Sequence, residues 1–241
     1  MPRRLIALLC LFMLIYCQPL APALAQSDPQ EALSAYFDGT VFVGDSIMQQ
    51  IGRFKLEQAE RGRQMLGQAR FLTLSSYTLY QGSRITPLEH KAAFRMGGER
   101  ISLSKALYRM GARRAFILLG MNDQAGDRLK NDLKMYDRLI DLTLKQNPDL
   151  QLIALSVTPI MRRAQTKALN QKNFDAFNEG LEELCQQKGV KYLDVATALK
   201  DENGFLRADY ASDNRVHLSR EGMEAFIETI TAYAQAESAA P

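Results

Sequence analysis

Four short stretches carry side chains suited to acyl transfer. The first is Val41-Phe42-Val43-Gly44-Asp45-Ser46-Ile47-Met48, where an apolar run of strand character enters Gly-Asp-Ser. Ile47, Ile51 and Phe54 then recur at helical spacing, so Ser46 falls at a helix start. Backbone N–H groups there lack intrahelical partners, and the positive end of the helix dipole favours an oxyanion. The same place suits a serine that is only an N-cap. A serine nucleophile needs a base, usually histidine. The sequence has two histidines. His90 has basic and apolar neighbours and reads as structural or solvent-facing. His217 lies in Asp213-Asn214-Arg215-Val216-His217-Leu218-Ser219, after carboxylate and amide groups able to orient an imidazole. Donors must also face the developing oxyanion. Candidates are the Ser46 N–H, the Asn122 amide in Gly120-Met121-Asn122-Asp123, and a backbone N–H from Ser75-Ser76-Tyr77. The alternative for Asn122 is an Asx turn.

In order and approximate spacing, Gly44-Asp45-Ser46, Gly120-Met121-Asn122-Asp123 and a histidine followed by Leu-Ser resemble the SGNH hydrolases, also called GDSL-type esterases and lipases. The resemblance covers residues 41–233. It implies Ser46 as nucleophile, His217 as base, and an oxyanion hole made by the Ser46 N–H, the Asn122 amide and a glycine N–H. Two positions depart from the family pattern. Its Asp-x-x-His would place aspartate where Asn214 stands, and Asp213 comes one residue earlier. Its second block has a glycine where this chain has Ser75-Ser76-Tyr77, and the nearest glycine is Gly82. Asparagine tolerates left-handed backbone, so a turn at Asn214-Arg215 would bring Asp213 into register. A carboxylate supports imidazolium better than a neutral amide, so Asp213 is the expected orienting residue. Ser76 is the expected third oxyanion donor.

The resemblance implies ester hydrolysis through an acyl-enzyme, with no metal or cofactor. The expected substrate is a small-molecule or glycan ester, such as O-acetyl groups on cell-envelope or extracellular glycans. An O-acyltransferase would use the same residues. A non-catalytic envelope or glycan-binding protein on a decayed scaffold would account for the altered aspartate spacing.

These side chains need a scaffold that gathers them. Strand character marks residues 41–43, 71–74, 115–119, 150–157 and 191–195, and the third run is apolar throughout, as in a strand buried on both faces. Between them come helical patterns at 32–37, from Ser46 onward, at 101–110, 127–146 and 169–188, with a last helix from Ser219. The alternation predicts an α/β fold: three layers, doubly wound around a mainly parallel five-stranded sheet, of SGNH or flavodoxin-like type. Sites in such sheets lie at the carboxyl ends of strands, where Ser46, Ser76 and Asn122 fall. Residues 75–99 lose periodicity and read as a substrate-facing insertion or a surface loop, with Gly97-Gly98 suited to a hairpin turn.

At 241 residues, with 46% hydrophobic and 24% charged side chains, the chain can bury a sizeable core. Arg3 and Arg4, the apolar run Leu5 to Tyr16, and Ala23-Leu24-Ala25 predict a signal peptide over 1–25. A single hydrolase domain is then expected over 26–241. The apolar run is shorter than the ~20 residues of a membrane span, so export to the periplasm or exterior, without a stable span after cleavage, is expected. The signal removes two of the +3 formal charges, and no charge argument for nucleic-acid binding survives. Cys10 and Cys17 leave with it. The remaining cysteine, Cys185, shares an apolar helical face with Phe174, Phe177, Leu181 and Leu184, and reads as a buried thiol.

Overall fold

The computed structural model describes residues 29–89, 91, 93–123 and 128–239. The predicted signal peptide, His90 and Asp127 lie outside the described residues. Helix α1 spans Pro29–Tyr36, and β1 follows at Thr40–Gly44. All five residues of β1 are buried, as its unbroken apolar pattern predicts for a central strand. Next come α2 (Ser46–Glu60), β2 (Arg70–Thr73) and a short α3 (Leu79–Gly82). A small hairpin, β3 (Phe94–Met96) and β4 (Glu99–Ile101), leads into α4 (Leu103–Arg109). The remaining elements are β5 (Arg114–Leu118), α5 (Leu129–Gln146), β6 (Gln151–Leu155), α6 (Gln171–Lys188), β7 (Lys191–Leu193) and α7 (Arg220–Ala239).

The main sheet has the order β2-β1-β5-β6-β7, and every neighbouring pair is parallel. Helices α1, α2 and α7 pack together, and α3, α4 and α6 pack against α5. The register places Phe42 beside both Phe71 and Phe116. Their rings stack at 5.2 Å and 4.9 Å, and Tyr233 of α7 meets Phe116 edge-on at 6.1 Å. One aromatic ladder thereby fixes both strand register and the seat of α7. The order reverses direction between β1 and β5, so a crevice opens at their carboxyl ends.

Two local expectations change. Ile101 belongs to β4 rather than to the following helix, because Ser102 caps α4 by accepting a hydrogen bond from Lys105 N–H. The segment 75–99 contains both α3 and the hairpin. Thr78 and Gln81 form a reciprocal capping box for α3, and the Tyr77 ring packs 4.9 Å from Phe94. Gly97 and Gly98, at φ 59° and 82°, form the two-residue turn between paired Met96 and Glu99. The hairpin turns at the Gly97-Gly98 pair that the sequence marks for one, whereas α3 is a single turn held by its capping box, too short for helical periodicity to show.

Candidate active site

Gly44 explains the abrupt passage from β1 into α2. A Cβ there would meet Met48 Cβ at 2.5 Å and the Leu118 carbonyl at 2.9 Å, so the turn admits no side chain. Asp45 then takes the capping position: its side chain accepts from Ile47 N–H at 2.9 Å. Ser46 is the first helical residue rather than the cap, and its hydroxyl is free for another partner. That partner is His217, whose Nε2 lies 3.1 Å from Ser46 Oγ.

His217 approaches from the loop before α7. Its Nδ1 lies 2.5 Å from Asp213 Oδ2. The other oxygen of Asp213 accepts from the backbone N–H groups of Arg215, Val216 and His217 at 2.8, 3.0 and 3.1 Å. Burial alone would raise the Asp213 carboxyl. The bond to His217 and those three N–H groups outweigh it and hold the group below the usual carboxylate value. Asn214 makes the turn possible at φ 58°, in the left-handed region. Its side-chain oxygen accepts from Arg163 and points away from this use. The structure therefore brings Asp213, not Asn214, to the imidazole, one residue outside the family spacing. Gln50 on α2 accepts from Leu218 N–H at 3.3 Å and ties the histidine loop to the helix that starts at Ser46.

Asn122 follows β5 in a 3-10 turn, Met121–Asp123, across the switch point from Ser46. Its amide donates to Asp45 Oδ2 at 2.7 Å and to the Tyr77 carbonyl at 3.2 Å. Both amide protons are thus engaged within the protein. Ser76 stands at φ 56°, a left-handed conformation that favours glycine. Among the described residues its N–H meets no acceptor. Its neighbour Ser75 bonds Gln49 of α2 at 3.0 Å, which draws this loop onto the helix that begins with Ser46.

Sequence reasoning missed two acids. Asp45 caps α2 and holds Asn122 at once; 2% exposed, it is pushed up to about 6 by burial, against the bond from Ile47 and the nearby His217. Asp123 accepts from Leu79 N–H at 2.8 Å and Tyr80 N–H at 3.4 Å, and so fixes α3 beside Asn122. Burial raises it also to about 6. Asp45 was legible, since Asp before a helical run is a capping signal. Asp123 was not, since its partners lie more than forty residues away. Cys185 is buried, and that burial pushes its thiol up to about 12. Among the described residues no group of three His, Cys, Asp or Glu side chains is placed to hold a metal ion. Among them, too, no helix is long and apolar enough to cross a membrane.

Known proteins share this arrangement of elements. A GDSL-like lipase from Bacteroides thetaiotaomicron superposes with a TM-score of 0.61 at 17% identity, over 82% of this chain and 88% of that one. A lipase/acylhydrolase from Enterococcus faecalis gives 0.58 at 13% identity, over 82% and 96%. An acetyl xylan esterase gives 0.58 at 13% identity, over 80% and 98%. At these identities the likeness is one of fold. No curated protein matches the sequence. The family description "GDSL-like Lipase/Acylhydrolase family" matches residues 42–225, and the chain belongs to that family.

Proposed function

We propose that the protein is an exported serine ester hydrolase acting through Ser46, His217 and Asp213. The observation that carries this reading is the relay Ser46 Oγ, His217 Nε2, His217 Nδ1, Asp213 Oδ2, with separations of 3.1 and 2.5 Å. His217 Nε2 takes the Ser46 proton as Oγ attacks the ester carbonyl. Asp213 holds the Nδ1 proton and stabilises the imidazolium that forms. The oxyanion is met by the Ser46 N–H, the Ser76 N–H and one proton of the Asn122 amide, which must turn from its present acceptors to do so. The imidazolium then protonates the departing alcohol. In the second half, His217 takes a proton from water, the hydroxide attacks the acyl carbon, and the Ser46 oxygen leaves with the proton returned.

The turn at Asn214 weakens the reading of a decayed, non-catalytic scaffold, since it accounts for the aspartate spacing while keeping a carboxylate on the imidazole. O-acetyl groups on envelope or extracellular glycans are the proposed substrates. Support comes from the signal-peptide pattern in the sequence and from the fold shared with an acetyl xylan esterase. A fluorophosphonate probe should label the wild-type protein and leave Ser46→Ala unlabelled. Turnover of acetylated glycans and p-nitrophenyl esters then identifies the acyl group. Absence of both labelling and turnover would overturn the proposal.

A further inference from the structure

One short helix joins the candidate active site to a second, cationic cleft. The first N–H groups of α3 bond Asp123, next to Asn122, and Asn122 bonds the carbonyl of Tyr77 just before that helix. Further along, Tyr80, Ser83 and Arg84 line a cavity of about 490 Å³ with Arg128, the N-cap residue of α5, and with Asn131 and Arg138 from the N-terminal half and middle of that helix. Every charged group in that lining is a guanidinium.

Five arginines elsewhere in the chain are neutralised by carboxylates. Arg61, Arg63, Arg109, Arg207 and Arg220 each lie within about 3.1 Å of a carboxylate. Arg84, Arg128 and Arg138 form no ion pair with a described carboxylate. Arg128 feels the charges of Asp123 and Asp132 at longer range, and Asp137, beside Arg138 in sequence, pairs with Lys188 instead. Arg84 donates to the Tyr80 hydroxyl at 3.4 Å and lies 5.3 Å from its ring, while its buried Nε meets no acceptor among the described residues. Three guanidiniums held together repel one another, and a buried donor without an acceptor costs free energy, unless an anion enters. Guanidinium forks match carboxylate and phosphate oxygens, and Ser83 and Asn131 add neutral donors. Exposed Tyr80 and Ile85 offer apolar surface for a carbon skeleton in the same cleft.

We propose that this cleft is an anion subsite that binds a carboxylate or phosphate group of the ester substrate. The inference rests on the ester-hydrolase reading for its substrate, but not for its anion binding. It is tested with a neutral acetate ester and a matched ester bearing a carboxylate on its alcohol side. In Arg84→Gln/Arg138→Gln the anionic-to-neutral ratio of kcat/KM should fall at least tenfold, carried by KM, as loss of two charge-assisted contacts predicts. Thr86→Glu, which sets a carboxylate at an exposed position of the cleft, should lower the same ratio without removing an arginine. An unchanged ratio in both variants overturns the subsite. A second readout needs no turnover. In Ser46→Ala, inorganic phosphate should raise Tm above chloride at equal ionic strength, and the added Arg84→Gln/Arg138→Gln pair should remove that rise. A phosphate effect that persists in the triple variant overturns the subsite. If neither ester is turned over by the wild-type protein, the hydrolase reading fails and the phosphate measurement alone decides the cleft.

Discussion

Asn122 Nδ2 lies 2.7 Å from Asp45 Oδ2, so the residue that caps the helix of Ser46 also holds the amide proposed for the oxyanion hole. The other amide proton faces the Tyr77 carbonyl. The amide is pinned between two strand ends and the loop that carries Ser76. Loss of one oxyanion donor costs ~10²–10³ in turnover. Asn122→Ala should therefore lower kcat by about that factor with little change in KM. Unchanged kcat with lower thermal stability would make Asn122 a purely structural Asx residue.

Asp45→Asn separates the two duties of Asp45. Its oxygen can still accept from Ile47 N–H, so the cap survives. Its new amide would then face the Asn122 amide, donor against donor. The expected result is a fall in kcat of about 10-fold or more, with Tm changed by only a few degrees. A large loss of Tm with unchanged kcat would assign Asp45 to capping alone.

Ser46→Ala should abolish ester turnover and leave Tm close to wild type. Asp45, not Ser46, caps α2, and the Ser46 hydroxyl bonds an imidazole rather than the backbone. Circular dichroism and p-nitrophenyl ester assays on the same preparation check both halves. Retained turnover would remove Ser46 as the nucleophile.

Asp213→Ala should lose most activity and Asn214→Ala much less, since only Asp213 reaches His217. Asn214 sits at φ 58°, so Asn214→Gly should preserve activity and a β-branched Asn214→Val should lower stability. The sign of the pH effect follows from the lowered Asp213 value. Its contribution to stability is present above the unfolded carboxylate value and is lost as pH falls through the folded one. Native chemical denaturation of wild type and Asp213→Asn, followed from pH 7 down to pH 3, should show the difference shrink at the acid end.

Asp132 titrates in the opposite sense. It is fully buried on α5, neither oxygen has a hydrogen-bond partner among the described residues, and burial together with Asp123 raises it from 3.8 to about 6. A raised acid contributes its full stability below the unfolded value and loses it as pH rises through the folded one. Asp132→Asn should thus gain Tm relative to wild type at pH 8 and lose that gain near pH 4. A gain of ~1 kcal/mol corresponds to about 2–4 °C for a domain of this size. Equal Tm differences at both pH values would show that Asp132 does not titrate with folding.

The sequence alone determined the layered α/β alternation. The run Val41 to Val43 is apolar at every position, and so is Ala115 to Leu119. Both patterns state burial on two faces without reference to any distant residue. Ser46, Asn122 and His217 were legible because Ser46 begins α2, Asn122 lies in the turn after β5 and His217 in the loop before α7, segments that the strand and helix patterns bracket. Tertiary structure alone decided which partner each side chain takes. Ser46 is not a cap because Asp45 is, and the Asn122 amide is engaged because Asp45 and Tyr77 arrive from two other strand ends. Asp213 was expected at the imidazole from asparagine's tolerance of left-handed backbone, and Asn214 at φ 58° adopts that backbone and seats Asp213 against His217 Nδ1. The arginine cleft was invisible for the strongest reason. Arg84 and Arg138 are more than fifty residues apart, and only the packing of α3 on α5 sets their charges in one cavity.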